Sequence, residues 1–278
     1  MRVDGRRVKG INAMYALVPQ FLPRRYDAMN MITLDIPSEP MKQYMNEKRR
    51  EGIHISHLAL IIAAYVRTVA EFPHLNRFIG NKKIYAHKDI TVSMVVLRPG
   101  HDEDTMSKIY LEPTDDIFQV QEKILEYISE NRKDDNANDL DKIMSILMKI
   151  PGMLGLAGAV LRFADRHGLL PGFLVKASPF HASLLISNLA SIRTNHIYHH
   201  VYEFGTTSVA ITLGNAREVP HTRKGRIVLE KCIPMGVVMD ERIASGHYFA
   251  HAFARMKTYL ANPKLLEGPP TFEIKEDR

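Results

Sequence analysis

Residues 29–36 alternate apolar with polar side chains, the spacing of a strand with one buried face, and Pro37 predicts its end. A helix is expected next, with Ser38 as its N-cap, Met41, Tyr44 and Met45 as an apolar stripe, Arg49 and Arg50 in the last turn and Gly52 beyond it. From residue 56 to residue 71 the pattern changes. Leu58, Leu60, Ile61, Ile62, Ala63, Ala64, Val66 and Val69 leave no polar face, so the run predicts a helix buried all round and stopped by Pro73. Residues 84–96 read as two short strands with a turn at Lys88-Asp89, and residues 108–111 as another. Asp115 and Asp116 open a helix that carries Ile117, Val120, Ile124 and Ile128 on one side. Further strands are predicted at residues 183–187, 207–213 and 226–239. A last helix, from about His247 to Leu260, has Phe249, Phe253, Met256 and Leu260 as its stripe and Asn262-Pro263 as its stop.

Two stretches depart from this order. Residues 130–139 are polar and predict a surface loop. Residues 143–164 are almost wholly apolar, yet Lys149, Pro151, Gly152, Gly155 and Gly158 interrupt them. A membrane span needs about 20 consecutive apolar residues, so the expectation is two short helices serving as a soluble lid or a contact between subunits. Helices first, a buried one in the middle and strands arriving from distant parts of the chain predict an α+β protein, a mixed sheet covered by helices. The expected layout is an N-terminal extension over residues 1–24 and one domain over 25–278, with an apolar helical insertion at about 139–170.

Composition narrows the function. Thirty-seven Lys and Arg against 31 Asp and Glu give a net charge of +6, but the cations alternate with acids instead of forming a basic stripe with exposed aromatics, which argues against nucleic acid. A polyanionic small molecule such as coenzyme A suits the balance. The single cysteine, Cys232, rules out an internal disulfide and a multi-cysteine metal site and reads as a small buried apolar residue. No apolar run follows the basic residues at the start, so the expected location is the cytoplasm, with no membrane role. Phosphate loops, G-x-G-x-x-G and G-x-S-x-G are absent.

Four short elements, in order, carry a resemblance. They are Arg25 with Asp27 before the first strand, Phe72-Pro73-His74-Leu75-Asn76 after the buried helix, Ile186-Ser187-Asn188-Leu189, and Asp240-Glu241-Arg242-Ile243-Ala244-Ser245-Gly246. Together they resemble the catalytic domain of the 2-oxoacid dehydrogenase dihydrolipoyl acyltransferases, in the chloramphenicol acetyltransferase-like family. The resemblance implies that family's fold, with strands near the subunit interface. It also implies a homotrimer with a channel between neighbours where coenzyme A or acyl-CoA meets the acceptor, and higher assembly is open. The 24 residues before Arg25 are too few for the lipoyl and subunit-binding modules of such complexes, so the acyl donor is expected to be free or held by an acyl-carrier partner.

In the resembled family the histidine of a "D-H-R" motif is the base, and the serine of "I-S-N-L" donates to the oxyanion. The resemblance therefore implies Ser187 and Glu241 as the catalytic pair, with Glu241 at the histidine position. Asn188, Ser245 and His247 are expected at the substrate, and Asp240, Arg242 and Gly246 as the structural part of the motif. A carboxylate is a weaker base toward a thiol than imidazole unless burial raises its pKa. His181, His199 and His200 are therefore alternative bases. The close spacing of His196, His199 and His200 also suggests a metal site, but no acidic or cysteine cluster lies beside them in the sequence, so no metal is expected. Two readings stand open: an acyltransferase with a substituted base and unknown acceptor, or a catalytically inactive trimeric binding or assembly protein that keeps the fold.

Overall fold

The computed structural model describes residues 2–97, 104–131, 152–275 and 277. The expected α+β architecture is the one observed. Its frame is a seven-stranded mixed sheet in the order β2 (Met29–Pro37), β10 (Arg226–Asp240), β8 (Val209–Leu213), β7 (Leu184–Asn188), β5 (Ile90–Leu97) and β6 (Asp104–Leu111), with β9 (Arg217–Arg223) added to the outer part of β10. β7 runs parallel to both β5 and β8, and the other pairs are antiparallel. β1 (Gly5–Arg7), β4 (Lys83–His87) and β3 (Arg77–Gly80) make a small antiparallel sheet.

One face of the large sheet is the core. α3 (His57–Glu71) lies at its centre, capped by Ser56 Oγ, which accepts from the Ala59 amide at 3.1 Å. α2 (Ser38–Arg50), α4 (Ile117–Asn131) and α7 (Gly246–Ala261) surround it, so Leu60, Ile117, Phe253 and the inward residues Ile186, Ile211 and Val237 share one apolar cluster. Sheet and helices enclose α3, and its buried Arg67 is met by the Leu265 and Gly268 carbonyls. Ser38 departs from expectation. β2 passes straight into α2, Pro37 stands at the cap, and Ser38 Oγ donates to the Lys231 carbonyl at 2.9 Å.

The opposite face is thinner. Leu185, Ala210 and Val238 point there by the two-residue alternation of strands and gather only Val201, Met29 and Met106. In the register across β7, β8, β10 and β2, Ser187 stands beside Thr212, Thr212 beside Gly236 and Gly236 beside Thr33. The segment around Ile197 crosses this row. Its amide donates to Thr212 Oγ1 at 3.1 Å, and Thr212 Oγ1 donates in turn to the Ile197 carbonyl. A Cβ on Gly236 would run into that carbonyl, so only glycine lets the segment lie so close.

α1 (Ala13–Phe21), α5 (Met153–His167) and α6 (Gly172–Ala177) complete the helices described. Residues 132–151, with Lys149, Pro151 and most of the polar loop, lie outside the described residues. The rest of the apolar stretch is α5, whose Leu156, Val160 and Phe163 are exposed. Among the described residues no helix is long and apolar enough to cross a membrane.

Candidate functional site

β10 delivers the chain into a tight turn at Asp240-Glu241-Arg242, and buried charge fixes that turn. Asp240 is fully buried. Arg242 donates to it from Nε at 2.8 Å, from Nη2 at 2.7 Å and from its own amide at 3.1 Å. Arg25 Nε stands 3.6 Å from Oδ2, the oxygen that Arg242 Nη2 also meets. Arg25 is itself held by the carbonyls of Tyr202 and Gly205 and, through its amide, by Glu203. Burial pulls the Arg25 guanidinium below its usual pKa, and Asp240 opposes that pull. Such a cluster leaves the turn one arrangement, because either charge alone would be buried without a partner.

Glu241 points away from this cluster. Its amide donates to the Ala28 carbonyl at 2.8 Å, and its half-buried carboxylate accepts from Asn30 Nδ2 at 2.7 Å. Ser245 caps α7, accepting from the Tyr248 amide at 3.3 Å, with Gly246 as the first helical residue. His247 is exposed, its ring 4.3 Å from that of His251 one turn on.

Ser187 is half-buried near the end of β7 and Asn188 after it is exposed. The Ser187–Thr212–Gly236 row crosses two strand spacings, and Glu241 follows Gly236 by five residues. At about 3.3 Å per residue and 4.8 Å per strand, an ideal sheet would set their backbone positions roughly 19 Å apart within one chain. One subunit therefore does not bring the expected catalytic pair together.

The histidines fall into three settings. His199 and His200 stack on each other near Tyr202, His200 exposed and His199 half-buried. His196 is turned inward, Nε2 at 3.1 Å from Thr33 Oγ1, with Nδ1 buried and unpartnered. His181 is enclosed: Nδ1 lies 2.8 Å from Ser178 Oγ and Nε2 3.2 Å from Asp165 Oδ1. Both its nitrogens are engaged inside the fold.

Asp165 is a site the sequence reading missed. Besides His181 it receives Arg2 Nη2 at 2.9 Å and the Gly205 amide at 2.7 Å. Burial would raise its carboxyl, but these donors outweigh burial and hold it at about 2. Asp165 and the Arg25 cluster border one cavity of about 560 Å³, which Arg2, Arg25, Lys82, Arg162, Arg166 and Arg242 line against the carboxylates of Asp165 and Glu203. The only hint in the sequence was a lone acid, flanked by Arg162 and Arg166, at the end of an apolar run. A second group also went unseen: His221, Glu230 and Cys232 stand together on the β9–β10 hairpin.

No family model matches the sequence, and no curated protein does. Solved structures do. A probable dihydrolipoamide acetyltransferase from Listeria monocytogenes superposes with a TM-score of 0.58 at 13% identity, covering 95% of this chain and 97% of that one. The cubic core of a pyruvate dehydrogenase multienzyme complex gives 0.61 at 13% identity, over 91% and 88%. A chloramphenicol acetyltransferase gives 0.55 at 11% identity, over 92% and 99%. At such identities what is shared is the fold, and this chain has the fold of the dihydrolipoamide acetyltransferase core and of chloramphenicol acetyltransferase.

Proposed function

We propose that this chain is a coenzyme A-dependent acyltransferase whose site is completed between neighbouring copies in a homotrimer, with Ser187 and Glu241 contributed by different subunits. The observation that carries the reading is the register. Ser187 stands level with Gly236 two strands away, and Glu241 comes five residues further on, beyond the end of β10, while buried charge holds the turn in one arrangement. A second copy can bring one to the other. The acceptor thiol or hydroxyl attacks the thioester carbonyl and gives its proton to the Glu241 carboxylate. The tetrahedral oxyanion takes a hydrogen bond from Ser187 Oγ, and its collapse expels the coenzyme A thiolate, which recovers the proton from Glu241. The cavity beside Arg25 and Arg242 supports the choice of donor, since Lys82, Arg162 and Arg166 on its wall add positive charge beyond the arginines already paired with Asp240, Asp165 and Asp4, and that suits the phosphates of coenzyme A.

The test uses acetyl-CoA with a dithiol acceptor and measures release of coenzyme A. Glu241→Gln removes most turnover and Ser187→Ala lowers it roughly a hundredfold, while coenzyme A binding, followed by thermal shift, is kept in both. Sedimentation is expected to show a trimer at micromolar concentration. Turnover that survives both substitutions, or a monomer that turns over, sinks the reading. A second reading, an inactive assembly protein, is favoured by one observation: the Asp240–Arg242–Arg25 cluster is complete without any contribution from the Glu241 side chain. Glu241→His decides between them, because acyl transfer created in an otherwise inert protein means that the carboxylate is the defect.

A further inference from the structure

β9 and β10 form a hairpin around Lys224 and Gly225, both at positive φ. The antiparallel register sets His221 opposite Val228 and Arg217 opposite Cys232. His221 is thus diagonal to Glu230, and Glu230 and Cys232, two residues apart on one strand, share its side of the hairpin. The donor atoms meet there. His221 Nε2 is 3.9 Å from Cys232 Sγ and 3.8 Å from Glu230 Oε2, and all three lie within 4.8 Å of one another. Both approaches are to the same ring nitrogen. A proton relay from a thiol through imidazole to a carboxylate needs both nitrogens, so these groups converge on a point and do not form a chain.

We infer that His221, Glu230 and Cys232 form a binding site for a zinc-like transition-metal ion on the β9–β10 hairpin. Thiolate, imidazole and carboxylate are the donors that zinc takes, and a sulfur donor disfavours calcium and magnesium, which take oxygen. Tetrahedral bonds of about 2.0–2.3 Å set donors about 3.3–3.7 Å apart. Cys232 is completely buried, and the His221 and Glu230 side chains, 39% and 22% exposed, stand on its solvent side, so closing the three donors to that spacing takes shifts of only about 1 Å. Three protein donors leave a fourth position, on the exposed side, for water. The ion ties β9 to its one strand neighbour, β10, beyond the reach of the main core.

The site is tested on the whole chain, stripped of metal and titrated with cobalt(II), then zinc(II). Cobalt is expected to give the visible bands of tetrahedral coordination and a near-ultraviolet sulfur-to-cobalt charge-transfer band, both displaced by one equivalent of zinc. Cys232→Ser loses the charge-transfer band. His221→Ala, at a partly exposed position that spares the fold if the cysteine variant does not, weakens zinc roughly a hundredfold. His199→Ala and His251→Ala leave both readouts unchanged. The inference is overturned by an absent charge-transfer band in the wild type, by unchanged affinity in His221→Ala, or by a loss that follows His199 or His251 instead. None of these outcomes depends on acyl transfer.

Discussion

Asp240 and Asp165 are both buried carboxylates met by arginine, and they stand on either side of one structural link: Arg25 donates to the Gly205 carbonyl, and the Gly205 amide donates to Asp165. Their partners differ in origin. Asp240 is bound chiefly by Arg242, two residues on, so the ion pair shapes a turn. Asp165 is bound by Arg2, 163 residues before it, and by Gly205, 40 residues after it, so its network joins the chain's start, α5 and the 203–205 loop. The first can therefore persist whatever side chain stands between its members. The second exists only once the whole molecule has assembled.

The largest effect is expected at Asp240. Asp240→Asn leaves two buried guanidinium groups without their counter-charge, and urea unfolding should show a loss of about 3–5 kcal/mol. A loss near zero would remove the turn from the contrast. Asp165→Asn comes next. Its carboxyl is held at about 2 against an ordinary 3.8, so ionisation favours the folded state. That stability, about 2–3 kcal/mol, is complete above about pH 4 and is lost as the pH falls toward 2. Stability curves of wild type and variant should converge over that window and run parallel at neutral pH. Convergence near pH 6 would point to a different group. The smallest effect is the coupling of Arg2→Ala with Asp165→Asn in a double-mutant cycle, about 1 kcal/mol. Additive losses would mean that Arg2 stabilises the fold through Asp4, the Asp165 backbone carbonyl and the Phe78 and Tyr85 rings, not through the Asp165 carboxylate.

The same contrast explains what the sequence disclosed. Elements written in local periodicity were legible: the nearly all-apolar α3, the stripe of α4, the alternation of β2 and the successive strands β4 and β5, which join different sheets. The Asp240–Arg242 pair was legible only through the resemblance, as a motif whose members lie within three residues. β9 was missed because its polar run with Pro220 shows no alternation that predicts a strand; pairing with β10 makes it one. Asp165 and the His221–Glu230–Cys232 group were missed because their members are neighbours only in space. Arg2 and His181 give no sign in sequence that they share a carboxylate.

β10 has one property of parity. Over its 15 residues, about 50 Å of extended chain, Glu230 and Cys232 must face His221, Gly236 must pass beneath Ile197 and Asp240 must meet Arg242. All of these fall on even-numbered residues. Inserting one residue after Cys232 would keep the hairpin facing one way while reversing every side chain on the remainder of the strand, or the other way about. Inserting two would restore both faces and merely carry the hairpin about 7 Å further from the Glu241 turn. The length of this strand is therefore free to drift only in steps of two.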